Sequence, residues 1–594
     1  MITVSGVIGI TLSLAYLYDE TTRVAVAGSA SFGEVVILLA ALAGALSSTA
    51  LVASLPESIR SRFRRRPSSV QRKPVYGFVT VLAVGIGSTL GSPLFVLIPL
   101  NVVQYEFVSV GSLALATCLS VLMAKVYSDM YLESERKGLP MVGGPSFTQL
   151  ACGTRSVRYF LSRVSMWIAN TALAAYSKLV FVIFDIEIFP GILAGYGISG
   201  PIAQALVYLI AVVFVGWSVI NAVFEGRILR SVGYLQIVLT SAMVVILVYH
   251  SLALGAVGAW NLSGITRYTS GNWLSALVIN TGYLYLLFFG FQEIQALERD
   301  VHAETRIPVV SWVKKGFTVR KSAYLGIAMV LSVLVAAVIN ILYALAVFSV
   351  HPSLAVLSAS QIPALYLAKT FLGPPQELLM AVAFLLATIT TFVPAFVAAS
   401  RHLGALGEDG YIPQSVANVS WVFTLAAIAI LALGNANFLV DITDFLVLLS
   451  LGVITLSSVW LRRGAGPMRL NVIPVLVGAS CFVAGAAIYF ISSSVVIFGV
   501  VSIVFTYLVF DISELGVMGT NLFLMVFNLV CALLLGLFAG GSSVVGPVLG
   551  ALGVSSGSAL GILTYLLLVS SVMLGANIFV DVKILKRTSS RLSV

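Results

Sequence analysis

Charged side chains are scarce in this chain: Asp, Glu, Lys and Arg make up 9% of its 594 residues. A soluble domain carries roughly a quarter, so a water-compatible surface cannot be built here. Histidine and cysteine are scarcer still, at four each. Cys118, Cys152, Cys481 and Cys531 stand far apart and three fall in apolar stretches, which excludes a disulfide framework and a thiolate metal site. His250, His302, His351 and His402 fall at segment ends or in loops, and no His, Cys or carboxylate cluster has metal-ligand or acid–base spacing. Neither an enzyme nor a resident cofactor or metal is expected, apart from a coupling sodium ion discussed below.

Apolar residues are what the chain has, at 59% hydrophobic and a mean hydropathy of +1.06. They come in continuous runs of about twenty residues, not in alternating runs of about ten, which points to an all-α polytopic membrane protein and not a β-barrel. Sixteen such segments can be drawn: 2–18, 34–55, 76–99, 104–126, 158–184, 203–223, 232–256, 275–296, 322–349, 376–399, 420–436, 441–461, 472–490, 493–511, 518–539 and 557–581. A net charge of +10 could suit nucleic acid, but its distribution suits a membrane. With Met1 in the cytoplasm, all 33 Lys and Arg except Arg23, Lys178, Arg267 and Lys369 face that side, leaving 29, as the positive-inside rule requires. The expectation is a multi-pass protein of the cell membrane with both termini cytoplasmic, lipid around it and no nucleic-acid partner. Met1–Tyr18 lacks a basic start and a cleavage site, so it reads as retained.

The segments group into 1–75, an apolar hairpin and a basic linker; 76–256, five helices; 257–463, five more; 464–515, two further helices; and 516–594, two extra helices with a basic tail. The linker, with Arg60, Arg62, Arg64, Arg65, Arg66, Arg72 and Lys73, reads as an anchor to anionic headgroups. Five is odd, so the second block of five opens with the opposite orientation. Each block also opens with an interrupted segment, the layout of an inverted repeat whose binding site lies at the membrane midplane.

The first interruption is Ala83-Val84-Gly85-Ile86-Gly87-Ser88-Thr89-Leu90-Gly91-Ser92-Pro93. Open backbone is tolerated in hydrocarbon only where it lines a cavity or binds something. The N–H groups and positive dipole of a half-helix starting near Ser92 would attract an anionic group, and the carbonyls ending the preceding half a cation or ammonium. Gly87, Ser88, Thr89, Gly91 and Ser92 are the candidate backbone and hydroxyl contacts. The alternative is that these small residues only allow close helix packing, since Gly87 and Gly91 stand four apart. The second interruption is Tyr283-Leu284-Tyr285-Leu286-Leu287-Phe288-Phe289-Gly290-Phe291-Gln292-Glu293.

The run from Gly85 to Phe95, then Gly143-Gly144-Pro145, Gly290-Phe291-Gln292, and the stretch Ser400-Arg401-His402 through Asp409-Gly410-Tyr411-Ile412-Pro413 resemble, in order and spacing over roughly 76–511, the amino acid/polyamine/organocation permeases. The resemblance implies a leucine-transporter-type 5+5 inverted repeat with broken first and sixth core helices, here with additional N- and C-terminal transmembrane helices. It implies an alternating-access secondary transporter of an amino acid or related amine, bound between the two broken helices. Gly290 and Gln292 would then face the substrate. Tyr176, Phe289 and Phe291 either shape the pocket or pack. Two residues depart from the family pattern: Pro93 stands where it has glycine, and Gln292 where it has glutamate.

In fold relatives that use sodium, a carbonyl and two hydroxyls of the eighth helix hold the ion with carbonyls of the first. Here those would be Ala387, Thr390 and Thr391 with Val81 and Val84. Uncharged oxygens suit a weakly held monovalent ion; the alternative is that the threonines bond back to their own helix. Proton-coupled relatives place a lysine in the fifth helix, where this chain has Met243. Lys178 is the one basic residue well inside a core segment, which makes it a site candidate or a side chain that reaches outward towards Asp185 and Glu187. An inorganic-ion cotransporter of the same superfamily, or a channel or receptor with this fold, remains as an alternative. The sequence carries no signal for oligomeric state.

Overall fold

The computed structural model describes residues 74–490 apart from 137–142, 155, 199, 224–226, 263–271, 298–299, 308–317, 413–416, 433–435 and 462–471, and scattered residues beyond 491. Segments 2–18 and 34–55, the basic linker, and nearly all of 493–511, 518–539 and 557–581 lie outside the described residues. One compact unit comprises Pro67–Asp409 and Val416–Ile491, and a second comprises Met1–Arg66, Gly410–Ser415 and Ser492–Val594. The architecture described here is that of the first.

Helices dominate it. They include, in order, α1 (Phe78–Thr89), α2 (Pro93–Tyr105), α3 (Phe107–Arg136), α4 (Pro145–Cys152), α5 (Val157–Ile183), α6 (Pro201–Val223), α7 (Arg227–Val257), α8 (Trp273–Leu284), α9 (Glu293–Ala296), α10 (Lys321–Ser349), α11 (Pro374–Glu408), α12 (Ser420–Leu431), α13 (Ala436–Leu461) and α14 (Val472–Ala487), with a short helix at Phe189–Ala194 between α5 and α6. A two-residue antiparallel pair joins Glu304–Thr305 to Val319–Arg320. Among the described residues six helices are long and apolar enough to cross a membrane, and α1 with α2 forms a seventh, bent span. The protein is an all-α, multi-pass membrane protein.

The first span breaks where its sequence says it should. α1 and α2 meet at 46° across Leu90–Ser92. Leu90 leaves helical geometry at φ −87°, ψ 56°, and Pro93, which has no N–H to donate, opens α2 at the position where none is needed. The Thr89 hydroxyl donates back to the Gly85 carbonyl at 2.6 Å, drawing off an acceptor at the end of α1. The sixth span breaks differently. α8 tightens into a 3-10 turn at Tyr285–Phe288, Phe289 is extended, Gly290 sits at φ +129°, and one helical turn, α9, follows. Asn101 of α2 and Asn280 of α8 exchange side-chain amide hydrogen bonds, the Asn280 amide donating at 2.9 Å. Both are buried, so the two broken spans are fastened to each other away from hydrocarbon.

The entry to α1 is fastened as well. The Asp300 carbonyl accepts from the N–H groups of Val75 at 2.7 Å and Tyr76 at 2.9 Å, and the His302 N–H donates to the Tyr76 carbonyl at 3.0 Å. The Asp300 carboxylate is ion-paired with Arg401 from the end of α11.

Three expectations need correction. The segment drawn as 376–399 is part of a helix reaching Glu408, so Ser400, Arg401 and His402 are helical and do not follow the helix. Beyond Pro394 the stretch holds no further proline, and Gly404 and Gly407 each cost a helix only about 1 kcal/mol, which the burial of Ala398, Ala399, His402, Leu403 and Leu406 outweighs. His250 and His402, expected at segment ends or in loops, are buried inside α7 and α11. Between α10 and α11 the chain also forms short helices at Leu354–Ala359 and Pro363–Leu367, too brief to register as apolar segments.

Candidate functional site

The two breaks meet main chain to main chain. A Cβ built on Gly290 would lie 2.5 Å from the Ser88 carbonyl carbon and 2.7 Å from the Thr89 nitrogen. No other residue fits there, both for that distance and for the positive φ. Beside this crossing lies a small cavity of about 10 Å³, room for a single water molecule, lined by Ser88, Thr89, Gly91, Pro93, Leu173, Leu286, Leu287, Phe289 and Thr391. Broken first span, broken sixth span, α5 and α11 thus all contribute to its wall.

Of the substrate-side candidates, Ser88, Thr89, Gly91 and Phe289 line the cavity. Ser92 is buried in the same break, and neither its hydroxyl nor that of Ser88 has a hydrogen-bond partner. The N–H groups of Gly91 and Ser92 meet no main-chain acceptor among the described residues, and they stand at the positive end of the 13-residue α2. Gly87 is crowded: a Cβ there would lie 2.8 Å from the Thr240 Oγ1 and 2.9 Å from the Gln236 Nε2. Gln292 turns back on the break, its Oε1 accepting from the Gly290 N–H at 3.2 Å. Tyr176 and Phe291 are buried outside the cavity lining. Phe291 packs edge-on against Tyr127 at 6.0 Å, and the cavity residue of α5 is Leu173, one turn before Tyr176.

The ion candidates converge on a different carbonyl of α1. The Thr390 hydroxyl lies 2.8 Å from the Leu386 carbonyl, 3.2 Å from that of Ala387 and 3.3 Å from that of Gly87, and the Thr391 hydroxyl lies 3.4 Å from the Gly87 carbonyl. One proton cannot serve three acceptors, and the Leu386 and Ala387 carbonyls already accept N–H groups within α11, so the Gly87 carbonyl at the end of α1 is the one left open. Back-bonding within α11 and contact with α1 occur together. Val84 and Val81, named for this role, stand one and two turns before Gly87, where helix geometry commits carbonyls to N–H groups four residues on. Met243 reaches Thr390 through its sulfur at 3.9 Å. Lys178 is half-buried on α5, away from the cavity lining. It pairs with neither Asp185 nor Glu187, and Glu187 instead accepts from the Gln361 amide at 2.8 Å.

Comparison with known proteins adds relatives of fold only. No protein-family model and no curated protein matches the chain. Among solved structures, a point mutant of the Eremococcus coleocola manganese transporter aligns with 76% of this chain and 94% of its own at 11% identity and a TM-score of 0.45. The same transporter in complex with an aromatic bis-isothiourea substituted compound aligns with 78% of this chain and 100% of its own, at 10% identity and a TM-score of 0.43. At such values the broken-helix arrangement rests on this chain's own geometry.

Sequence reasoning left several residues of the region unassigned. Glu293 opens α9 and is 2% exposed, with the Gln292 side chain beside its carboxylate and no charged partner. Its signal was available: an acid inside an apolar segment is a functional candidate by default. Gln236 and Thr240 of α7 press on Gly87, and the Thr240 hydroxyl donates to the Ala83 carbonyl at 3.1 Å. Nothing in their spacing announces that contact, because it depends on how α7 crosses α1.

Proposed function

We propose that the protein is a secondary transporter that moves a small amino acid or related amine by alternating access, with a cation, sodium ahead of the proton, supplying the driving force. The observation that carries this reading is the meeting of the two breaks at Gly290 and Ser88 beside a small cavity lined from both broken spans. The unpaired N–H groups of Gly91 and Ser92 suit a carboxylate. The carbonyls ending α1 and the lone buried Glu293 suit an ammonium. The Thr390, Thr391 and Gly87 oxygens suit a monovalent ion that must bind and leave. Pro93 removes one donor from the carboxylate end, which favours a solute that relies more on its ammonium than a simple amino acid does.

Uptake into proteoliposomes tests the proposal. Labelled amino acids and amines should accumulate above the external concentration under an inward sodium gradient, and accumulation should collapse when the gradient is dissipated. Flux that only equilibrates, or binding without flux, would make the protein a channel or receptor of this fold.

A further inference from the structure

Two adjacent residues near the end of α11 reach both broken spans. Arg401 is ion-paired with the Asp300 carboxylate, and the Asp300 carbonyl holds the N–H groups of Val75 and Tyr76 at the entry to α1. His402 reaches the sixth span through a glycine. Its ring lies against Gly143, where a Cβ would stand 2.7 Å from the His402 Cε1, and the Gly143 N–H donates to the Gln295 carbonyl of α9 at 3.4 Å. On the other side of the ring stands Arg163 of α5, 1% exposed. Its Nε donates to the Tyr159 hydroxyl at 3.2 Å and its Nη2 to the Ser146 hydroxyl at 3.0 Å, while its Nη1 lies 3.1 Å from the His402 Nδ1. The Tyr159 hydroxyl donates in turn to the Asp409 carboxylate, which also accepts from the Gln149 amide of α4 at 3.1 Å.

A guanidinium has donors only, so the His402 nitrogen that faces Arg163 must accept, and this arrangement requires that nitrogen to carry no proton. Protonation would set two cations at hydrogen-bond distance. Nothing around the ring offsets that. Among the described residues the charges that bear on His402 are those of Arg163 and Arg401, both positive. Asp300 is engaged by Arg401, Asp409 by Tyr159 and Gln149, and Glu293 of α9 lies beside Gln292. α1, α12 and the stretch 143–151 carry no ionisable side chain. We propose that the Arg163–His402 contact is a proton-sensitive latch: with His402 neutral it holds α11 against the inner ends of both broken spans, and a proton taken up by His402 once that end has parted keeps it from closing. The positive-inside rule puts this end in the cytoplasm, so the latch reads cytoplasmic pH. An exposed histidine titrates near pH 6.5. Below that value the parted form, which binds the proton, gains about tenfold per pH unit, and above it the latch does not respond.

The latch rests on the alternating-access reading only in requiring that this end part at all, and its test uses neither solute nor transport, so a failure of uptake leaves it standing. Hydrogen–deuterium exchange of the purified full-length protein, corrected for the intrinsic pH dependence of exchange, is followed in peptides covering 143–152 and 293–302. Wild-type protection in both should fall about tenfold between about pH 7.5 and about pH 5.5. His402→Gln, whose amide oxygen accepts from Arg163 and takes up no proton, should keep wild-type protection at the higher pH and lose the fall. His302→Gln changes the other histidine at this end, whose N–H meets the Tyr76 carbonyl, and should keep the fall; it decides alone if His402→Gln does not give monodisperse protein. Protection that is the same at both pH values in the wild type, a fall that survives in His402→Gln, or a fall that is lost in His302→Gln overturns the proposal.

Discussion

Gly290 and Ser88 touch through their main chains, at a separation where a Cβ on Gly290 would stand 2.5 Å from the Ser88 carbonyl carbon. Replacing Gly290 by alanine therefore inserts a methyl group into a peptide plane and strains a φ of +129°. Such strain costs on the order of 1–3 kcal/mol before any clash is counted. Gly290→Ala should lower Tm by several degrees and abolish solute binding, read by thermal unfolding with and without solute. Wild-type Tm and affinity would show that the two breaks are not in contact.

The hydroxyls of Thr390 and Thr391 share the Gly87 carbonyl, which is the contact the proposed coupling ion would use. The double change to alanine should remove sodium stimulation of uptake while leaving the protein folded by size-exclusion chromatography. Persistence of the stimulation would place the coupling ion elsewhere.

Lys178 is half-buried and outside the cavity lining. Lys178→Met should leave solute affinity and its pH dependence within about twofold of wild type, because a twofold change is less than half a kcal/mol. A loss of tenfold or more would bring the lysine into the site.

Glu293 is the acid nearest in sequence to the Gly290 break and has no charged partner. Glu293→Gln keeps its shape and removes its charge. Affinity for amine-bearing solutes should fall at least tenfold, about 1.4 kcal/mol, measured by competition binding, and an unchanged affinity would exclude it as the ammonium's partner.

The Arg401 and Asp300 ion pair closes over the entry to α1 and is largely buried. Removing one partner strands the other, at a cost of about 3–5 kcal/mol. Arg401→Gln should destabilise strongly, and adding Asp300→Asn should restore part of the loss. If the double variant is worse than the single one, the pair does not act as a unit.

The class of the protein and the place of its first break could be read from composition and from glycine, serine and Pro93 inside an apolar run, because hydrocarbon penalises open backbone wherever it occurs. The second break was visible through Gly290, but its contact with Ser88 was not, since that depends on the crossing of two spans some 200 residues apart. α11 ran past its expected end because apolar burial extends a helix through weak glycines. Val84 was named in place of Gly87 because periodicity locates a face of a helix without saying which carbonyl the end of that helix leaves unspent.

The central claim is that a solute sits between the two breaks. Its most direct test is a density map of the purified protein with the tightest-binding amino acid or amine from a thermal-shift screen. The account predicts solute density bounded by Ser88, Gly91 and Ser92 on one side and by Leu286–Gly290 on the other. Solute density elsewhere, or first and sixth spans traced as unbroken helices with no space between them, would contradict it.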